Sequence, residues 1–413
     1  MKNLIGPFSQ ALPFQKASLK GPLKDSQLEI IENAGILFEN EIILEVGNFE
    51  SILKKNPDSK IKRTEEATVV LPGFIDAHTH LCWAGSRAAD YSDRINGVPY
   101  VEIAKRGGGI QDSVRKTRAA KNETLVANIL GRIEYLNLNG CTTVEIKSGY
   151  GLSVEEELRH LRAIKTASRH PSVDIIATCL AAHVKPFDFS GSEKDYLDTI
   201  VKKLLPTLKQ EGLCKRVDIY VDDGAFDVAT AKAYLLEAKK LGFEITLHAD
   251  QFKNGGSQLA IELNAQSADH LEASSAEDIK RLGQSNCVAT VLPGATLGLG
   301  QPFAPARALL DAGACLAIAS DWNPGSAPNG DLLAQAAFLG AAQKLSNSEV
   351  LAGITYRASH ALGLKDRGRI VANSLCDLVL FPCQDYREIL YHQGQLRPSA
   401  VIKRGRFKDV SEN

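Results

Sequence analysis

The stretch Thr68-Val-Val-Leu-Pro-Gly-Phe-Ile-Asp-Ala-His-Thr-His80 sets the pattern for the whole chain. Its apolar, β-branched start predicts a buried strand over residues 68–75, and its end carries two histidines, His78 and His80. Because residues two apart on a strand point the same way, both imidazoles can reach one cation. Neutral imidazole is a good ligand for zinc and iron. The alternative is a pair of exposed polar residues at a strand end.

Further apolar runs alternate with amphipathic segments along the middle of the chain. Strands are predicted at Thr142–Ile146, Ile175–Ala182, Val217–Val221, Glu244–Leu247, Ala265–Ala268, Cys287–Leu292 and Leu316–Ala319. Helices are predicted at Glu123–Asn139, Glu155–Arg169, Lys194–Gln210 and Val228–Leu241. Short buried strands separated by helices indicate an α/β fold with a parallel sheet covered on both faces. Eight such strands favour a closed (β/α)8 TIM barrel, and an open doubly wound sheet is the alternative.

Nearly every predicted strand is followed by a polar residue. These residues are His78, His80, Tyr150, His183, Asp222, Asp223, His248, His270 and Asp321. In a barrel the carboxyl ends of the strands meet on one face, so residues distant in sequence would form one cluster. His248 and Asp321 would add a third imidazole and a carboxylate to the pair at residues 78 and 80. Together they predict a four-ligand metal site.

The two ends of the chain differ from the middle in their pattern, with short apolar runs between polar turns. Residues 1–70 contain candidate strands at Gly35–Phe38 and Ile42–Val46, without a long helical periodicity. The tail repeats this pattern at residues 368–372 and 377–382. We expect both ends to form one small β-sandwich domain. The predicted domains are the N-terminal part of that domain at 1–70, the catalytic barrel at 71–363 and the C-terminal part at 364–413.

The composition is that of an ordinary globular enzyme, with 44% hydrophobic and 23% charged residues among 413. The net charge of -1 argues against a nucleic acid partner. The sequence has neither a signal-peptide pattern at its start nor an apolar run long enough for a membrane span. The eight cysteines are scattered and form no C-x-x-C pair, which favours reduced thiols in a cytoplasmic protein.

Six stretches between about residues 70 and 330 resemble the amidohydrolase superfamily and, within it, the imidazolonepropionase family. They are His78-Thr-His-Leu-Cys-Trp-Ala-Gly-Ser-Arg87, Arg106-Gly-Gly-Gly-Ile110, Lys147-Ser-Gly-Tyr-Gly-Leu152, His248-Ala-Asp-Gln251, Ser267-Ala-Asp-His-Leu-Glu272 and Asp321-Trp-Asn-Pro-Gly-Ser326. The resemblance implies a hydrolase that opens the cyclic amide of 4-imidazolone-5-propanoate to give N-formimidoyl-L-glutamate, in histidine degradation. A two-ended β-domain is also typical of the superfamily.

The resemblance further implies one metal ion per chain, held by His78, His80, His248 and Asp321. We expect zinc, with Fe3+ as the alternative, because both accept imidazole and carboxylate ligands. Asp321 can also take the proton of the attacking water. Many superfamily members bridge two metals with a carbamylated lysine, but Lys147 is expected to be a structural hydrogen-bond donor here. A homodimer is the expected assembly.

The substrate carries a carboxylate tail, and Arg87 is the candidate to bind it, since a guanidinium can pair with a carboxylate through two hydrogen bonds. By resemblance, Tyr150 and His183 contact the substrate. The same comparison places His270 for proton transfer or for polarising the carbonyl group. A histidine near its ordinary pKa suits general acid–base catalysis.

The loop after the eighth predicted strand supplies the remaining candidates, Asn323, Gly325 and Ser326, as positions that contact substrate and product. Some family members have Glu where this chain has Gln251. Because a glutamine cannot usefully accept a proton, Gln251 is expected only to bind substrate. The base role then shifts toward Asp321 and His270.

Two alternative functions stay open at this stage. One is another cyclic amidohydrolase or a deaminase of the same superfamily, and the other is a catalytically silent barrel that binds metabolites or partners. The complete ligand set argues against the second. Gly107-Gly-Gly109 lacks the spacing of a phosphate-binding loop and favours a flexible loop over the barrel mouth. Asp222 and Asp223 are expected to cap a helix.

Overall fold

The computed structural model of the chain describes residues 1–64 and 67–409. In these residues the strands are β1 (Lys2–Ala11), β2 (Ile31–Glu39), β3 (Ile42–Asn48), β4 (Lys60–Lys62), β5 (Thr68–Pro72), β6 (Phe74–Asp76), β7 (Cys141–Lys147), β8 (Asp174–Ala182), β9 (Arg216–Val221), β10 (Glu244–Ala249), β11 (Ser267–His270), β12 (Val288–Val291), β13 (Leu316–Ile318), β14 (Leu378–Pro382), β15 (Ala400–Lys403) and β16 (Arg406–Asp409). They fall into two sheets, of which one is parallel and the other mixed.

Most of the helices lie between consecutive strands of the parallel sheet. In the described ranges they are α1 (Phe49–Lys55), α2 (Ala88–Ile95), α3 (Tyr100–Lys105), α4 (Ile110–Ala119), α5 (Asn122–Leu138), α6 (Val154–Ala167), α7 (Glu193–Thr199), α8 (Leu205–Glu211), α9 (Val228–Lys240), α10 (Gly256–Glu262), α11 (Ala276–Gln284), α12 (Pro293–Leu299), α13 (Ala306–Asp311), α14 (Leu332–Gln343), α15 (Asn347–Gly353), α16 (Tyr356–Ala361) and α17 (Arg387–Tyr391). A 3-10 turn lies at Asp25–Gln27. Ser153 and Asp227 cap α6 and α9 through their side chains, which fixes where these helices begin.

The parallel sheet consists of the eight strands β6 to β13 in sequence order. Most of their residues are buried, as expected for strands covered on both faces. A parallel bridge between Thr79 and Trp322 joins the segments that follow β6 and β13, and brings the first and last strands together. This arrangement confirms the predicted (β/α)8 TIM barrel.

The first predicted strand, Thr68–Ile75, is two strands in the structure. β5 belongs to the mixed sheet and β6 to the barrel, with Gly73 at the break. A side chain at Gly73 would collide with Thr142 at the start of β7, so the chain passes there only with glycine. The sequence did not show this break because the apolar run continues across it.

Both ends of the chain form the mixed sheet, as predicted. Its order is β16-β15-β14-β5-β1-β2-β3, and β4 also pairs with β1. β5 and β14 are antiparallel, with Thr68 opposite Pro382 and Pro72 opposite Leu378. A buried apolar cluster that includes Ile5, Phe8, Val70, Leu378 and Ile402 holds the sheet together. The proposed domain boundaries stay a prediction.

Two predicted elements were wrong in detail, and one short helix was not predicted. Residues 368–372 form no strand, and the N-terminal region contains the short helix α1, which the sequence did not indicate. The predicted helix Lys194–Gln210 consists of α7 and α8 separated by a π-helical turn at Ile200–Leu204. A π-helical turn accommodates an extra residue within an otherwise continuous helix, so the amphipathic segment still indicates one helix.

All eight cysteines are free thiols, and seven of them are buried. Within residues 1–64 and 67–409, we find no helix whose length and apolar character would let it cross a membrane.

Asp174, at the start of β8, connects the barrel to the C-terminal strands. Its Oδ2 lies 2.5 Å from Arg367 Nη1, 2.9 Å from Lys403 Nζ and 3.1 Å from Arg404 Nη2. Burial alone would raise the pKa of this carboxyl, but Lys403 and Arg367 outweigh burial and lower the pKa of Asp174 to about 2. The charged form is therefore the one that the folded protein stabilises.

We expect Asp174→Asn to lower the free energy of unfolding by about 1–3 kcal/mol at neutral pH, the usual range for losing hydrogen bonds to a charged group. Because the folded pKa of about 2 is below the ordinary value of 3.8, the contribution is fully present above pH 4 and is lost as the pH falls toward 2. Urea unfolding of wild type and variant at several pH values measures the difference.

The matched control is Asp198→Asn, which breaks an exposed pair with Lys194. We expect that change to stay within about 0.5 kcal/mol of wild type. If Asp174→Asn behaved like the control at neutral pH, the charged junction would contribute nothing to stability.

Candidate metal centre

Three imidazoles and one carboxylate converge at the carboxyl end of the barrel. His78 and His80 follow β6, His248 lies in β10 and Asp321 follows β13. One ligand atom from each histidine lies within 4.8 Å of the others. Asp321 Oδ1 is 3.4 Å from His78 Nε2 and 3.2 Å from His80 Nε2. All four side chains are buried, so the cluster is shielded from bulk water.

The polar atoms of this cluster fit a metal ion. His78 Nε2 and Asp321 Oδ1 are buried and have no hydrogen-bond partner among the described residues. His80 Nε2 and His248 Nε2 face each other at 3.3 Å. Unpaired buried acceptors are costly, and two imidazole lone pairs at this distance repel each other unless a cation or proton lies between them. Three imidazoles and a carboxylate are also a donor set that zinc and iron accept.

The electrostatics favour one positive charge in the cluster. Burial and Lys147 disfavour a charged His78, but Asp269 and Asp321 outweigh them and raise the pKa of His78 to about 9. Burial lowers the pKa of His80 to about 3. The carboxylates of Asp269 and Asp321 thus attract a cation. The imidazole of His80 stays neutral, so it can donate a lone pair to that cation.

Two buried carboxylates orient the histidines from behind. His78 Nδ1 is hydrogen-bonded to Asp269 Oδ2 at 2.7 Å, and His248 Nδ1 lies 2.9 Å from Asp218 Oδ2. A carboxylate that accepts from Nδ1 directs Nε2 into the cluster, where a metal ion can take the place of a proton. Burial lowers the pKa of His248 well below its ordinary value despite Asp218, so this imidazole is neutral.

Lys147 lies beneath the cluster and balances these carboxylates. Its ammonium group is 2.8 Å from Glu145 Oε1, 2.8 Å from Asp218 Oδ2 and 3.8 Å from Asp269 Oδ2. Against the effect of burial, Asp218 and Glu145 raise the pKa of Lys147 above its ordinary range. The lysine is therefore charged, and it makes the hydrogen bonds that the sequence analysis expected of it.

The loop after β13 is organised around Asn323. Its Nδ2 donates to Asp321 Oδ2 at 2.9 Å and lies 2.9 Å from Ser326 Oγ, while its Oδ1 accepts from the backbone N–H groups of Gly325 and Ser326. Asp321 itself has φ 54°, in the left-handed region that is unfavourable for a residue with a side chain. The amide of Asn323 thus holds the loop and the Asp321 carboxylate in place.

Arg87 lies against the same loop. Its guanidinium group packs on Gly325 so closely that a Cβ there would collide with Nη1. Asp90 Oδ2 accepts from Arg87 Nε at 2.8 Å and from the backbone N–H of Gly109 at 2.8 Å. Asp90 therefore holds the guanidinium group at its Nε edge. It also links Arg87 to Gly109, in the glycine loop that we predicted to lie over the barrel mouth.

Tyr150 and His183 line the other side of the cluster. The His183 ring stacks on His80 with centroids 5.5 Å apart, and its Nδ1 is hydrogen-bonded to the Gly149 carbonyl at 3.0 Å. Burial lowers the pKa of His183 to about 4, so this ring is neutral. The Tyr150 ring centroid is 6.1 Å from that of His80.

Gln251 and His270 complete the set of predicted site residues. Gln251 Oε1 accepts from the Tyr220 hydroxyl at 2.8 Å, and the Tyr220 ring lies 5.7 Å from His248. The His270 ring centroid is 5.3 Å from that of His248. The structure thus gathers every candidate from the sequence at one end of the barrel.

Sequence reasoning missed Asp218, Asp269, Tyr220 and Asp90. A signal existed for Asp218, because a carboxylate in the middle of the apolar run Val217–Val221 must find a partner when buried. The expected helix capping by Asp222 was wrong. Its Oδ2 accepts from the backbone N–H of Phe252, since the adjoining helix α9 begins further along the chain.

Comparison with known proteins agrees with this geometry. Residues 69–408 match the model of the amidohydrolase family. The chain is 37% identical to an imidazolonepropionase from Clostridium tetani, over 92% of this chain and 91% of that protein. It is 40% identical to one from Rubrobacter xylanophilus, over 93% and 94%, and 36% identical to one from Bdellovibrio bacteriovorus, over 98% and 96%.

Solved structures show the same fold at low sequence identity. A triazine hydrolase variant superimposes with a TM-score of 0.75 at 17% identity, covering 98% of this chain and 94% of the other. The atrazine chlorohydrolase of Arthrobacter aurescens TC1, solved with zinc, gives 0.70 at 16% identity over the same shares. Helicobacter pylori aminofutalosine deaminase gives 0.70 at 17% identity, covering 99% of this chain and 100% of the other.

We expect Asp269→Asn and Asp218→Asn each to weaken zinc binding by about 10–100-fold, because they remove the charge that orients a ligand histidine. Competition titration of the metal-free protein with a zinc chelator measures this. Asp278→Asn removes a buried carboxylate that caps α11 and touches none of the three histidines, so it should leave the zinc affinity unchanged. Equal affinity in all variants would contradict the orienting role.

Proposed function

The chain belongs to the amidohydrolase family and, within it, to the imidazolonepropionases, and from this premise we propose its reaction and the residues that carry it out. It is a hydrolase of carbon–nitrogen bonds in cyclic amides. The reaction opens the ring of 4-imidazolone-5-propanoate to give N-formimidoyl-L-glutamate, a step of histidine degradation. The observation that carries this proposal is the convergence of His78, His80, His248 and Asp321 at the barrel mouth.

These four residues would hold one metal ion. Zinc fits them best, because it accepts imidazole and carboxylate ligands and can expand its coordination to include a water, and Fe3+ is the alternative. A bound metal ion would supply a water whose pKa is lowered to about 7 and would polarise the carbonyl group. The charged ammonium of Lys147 balances Asp218 and Asp269 on the inner side of this site, which favours a single metal there.

Proton transfer would involve Asp321 and His270. The Asp321 carboxylate is buried beside His78 and His80, which hold its pKa well below its ordinary value despite burial, so it is ionised and can accept the proton of the attacking water. His270 lies next to the histidine cluster without being one of its three members. It can deliver a proton to the ring nitrogen that leaves. Gln251 would only bind substrate, because an amide does not take up a proton.

The substrate would lie across the barrel mouth with its carboxylate on Arg87. Because Asp90 binds Arg87 through Nε, the two terminal nitrogens are the ones available to a carboxylate. Tyr150 and His183 line the opposite side, where hydrogen bonds to the ring can orient it. Asn323, Gly325 and Ser326 would contact the substrate or product through the loop that also holds Asp321.

Family membership also leads us to propose a homodimer that works in the cytoplasm. The eight free thiols fit a reducing compartment.

The direct test combines turnover with metal content on one sample. Purified protein should remove the ultraviolet band of freshly made imidazolonepropionate, contain one metal ion per chain and lose activity to a chelator. His80→Ala should lose both metal and turnover while its circular dichroism stays that of a folded barrel. Full metal and full rate in His80→Ala would refute the proposed ligand set. Metal without turnover in the wild type would instead direct the search to other cyclic amides and aminated heterocycles.

Arg87→Met should raise KM for the substrate by at least about 10-fold, because the variant loses a charge-assisted pair with the carboxylate. Steady-state kinetics measure the change. Arg162→Met is the control, since Arg162 forms an exposed ion pair with Glu211 away from the barrel mouth. An unchanged KM in Arg87→Met would place the carboxylate elsewhere.

A further inference from the structure

The chain reverses direction directly after β11 in an unusual way. His270 and Leu271 have φ values of 89° and 75°, so two successive residues with side chains lie in the left-handed region. Such a conformation costs about 1–3 kcal/mol at each residue and persists only where surrounding contacts fix it. The Leu271 N–H donates to the Ala249 carbonyl, and Ala273 N–H donates to the Asp250 carbonyl. The turn is therefore fixed against the loop that follows His248.

This turn brings the side chain of Glu272 back toward His270. Glu272 Oε2 lies 3.6 Å from His270 Nδ1, and both atoms are buried without a hydrogen-bond partner among the described residues. The other carboxylate oxygen, Oε1, accepts from the Thr296 hydroxyl at 3.1 Å. Thr296 thus anchors the carboxylate from α12 on the far side.

We propose that Glu272 is a positioning residue, whose carboxylate accepts the Nδ1 proton of His270 and fixes the orientation and tautomer of that imidazole. This inference rests on the proposed role of His270. With Nδ1 holding its proton toward Glu272, Nε2 is the nitrogen left to exchange a proton with the reacting groups. The gap of 3.6 Å closes to a hydrogen bond by a small rotation of either side chain, and catalytic hydrogen bonds are often this long before substrate binds.

The same logic already operates for the neighbouring imidazoles. His78 has Asp269 on its Nδ1, and His248 has Asp218. Glu272 differs because it approaches from a turn after the strand, whereas Asp218 and Asp269 point inward from the strands themselves. Glu272 thus orients an imidazole that is not one of the three clustered histidines and is free to act on substrate.

A double-mutant cycle separates this role from a structural one. We expect Glu272→Gln to lower kcat by about 10–100-fold with KM nearly unchanged, the usual size of losing an orienting partner. In a His270→Ala background the same substitution should have no further effect on kcat, because the residue acts through His270. An equal loss in both backgrounds, or no loss in the first, would overturn the proposal.

A measurement without turnover provides the second test. In zinc-loaded protein labelled with 15N histidine, the signals missing from His270→Ala identify the His270 ring nitrogens. We expect a protonated Nδ1 and an unprotonated Nε2 in wild type, and a changed pattern in Glu272→Gln. An identical pattern in both proteins would overturn the proposal.

Controls keep the outcome interpretable. Glu277→Gln, on the exposed face of α11, should match wild type in both measurements. Metal content and thermal stability of Glu272→Gln should stay near wild type, so that a lost site or an unfolded protein is recognised. If wild type itself showed no turnover, the proposed function would fail, and the nitrogen signals would still decide whether Glu272 orients His270.

Discussion

The barrel closes between its first and last strands, and the candidate metal site depends on that closure. The Asp76 carboxylate accepts from the Ser320 N–H at 3.0 Å and from its hydroxyl at 2.5 Å, and the Asp321 N–H donates to the His78 carbonyl at 3.0 Å. Burial raises the pKa of Asp76 to about 6, even though Ser320 favours its charged form. Because His78 and Asp321 form one of these bonds through their backbones and lie within two residues of the others, the contacts that close the barrel also set the separation of two ligands.

Charge balance inside the barrel is the second constraint. Glu145, Asp218, Asp269 and Asp321 are all buried, and the buried Lys147 faces the first three of them. Carboxylates at this depth are tolerable only when cations and hydrogen bonds compensate them. The protein therefore combines one fixed positive charge, on Lys147, with a place for an exchangeable one among the histidines. Metal binding and the stability of the barrel interior are then two aspects of the same electrostatic arrangement.

The sequence predicted what depends on local pattern. The histidine pair after the first strand, and single polar residues after later strands, located the site because strand ends in a barrel share one face. It did not predict which buried carboxylates orient which imidazole, since that depends on register between distant strands. The contacts of Asp174 with Arg367 and Lys403 join residues about half of the chain apart, so the local sequence around Asp174 does not indicate them. The approach of Glu272 to His270 requires a left-handed turn without glycine, and no residue pattern predicts such a turn.

The interleaving of the two chain ends has a consequence for synthesis on the ribosome. β5 pairs on one side with β1 and on the other with β14, which begins at Leu378. The edge of β5 that accepts β14 therefore stays open while the whole barrel emerges from the exit tunnel. An open strand edge is a template for pairing with other chains, so the nascent protein carries this liability until β14 has emerged. Only when β14 is available can the chain cover this edge of β5.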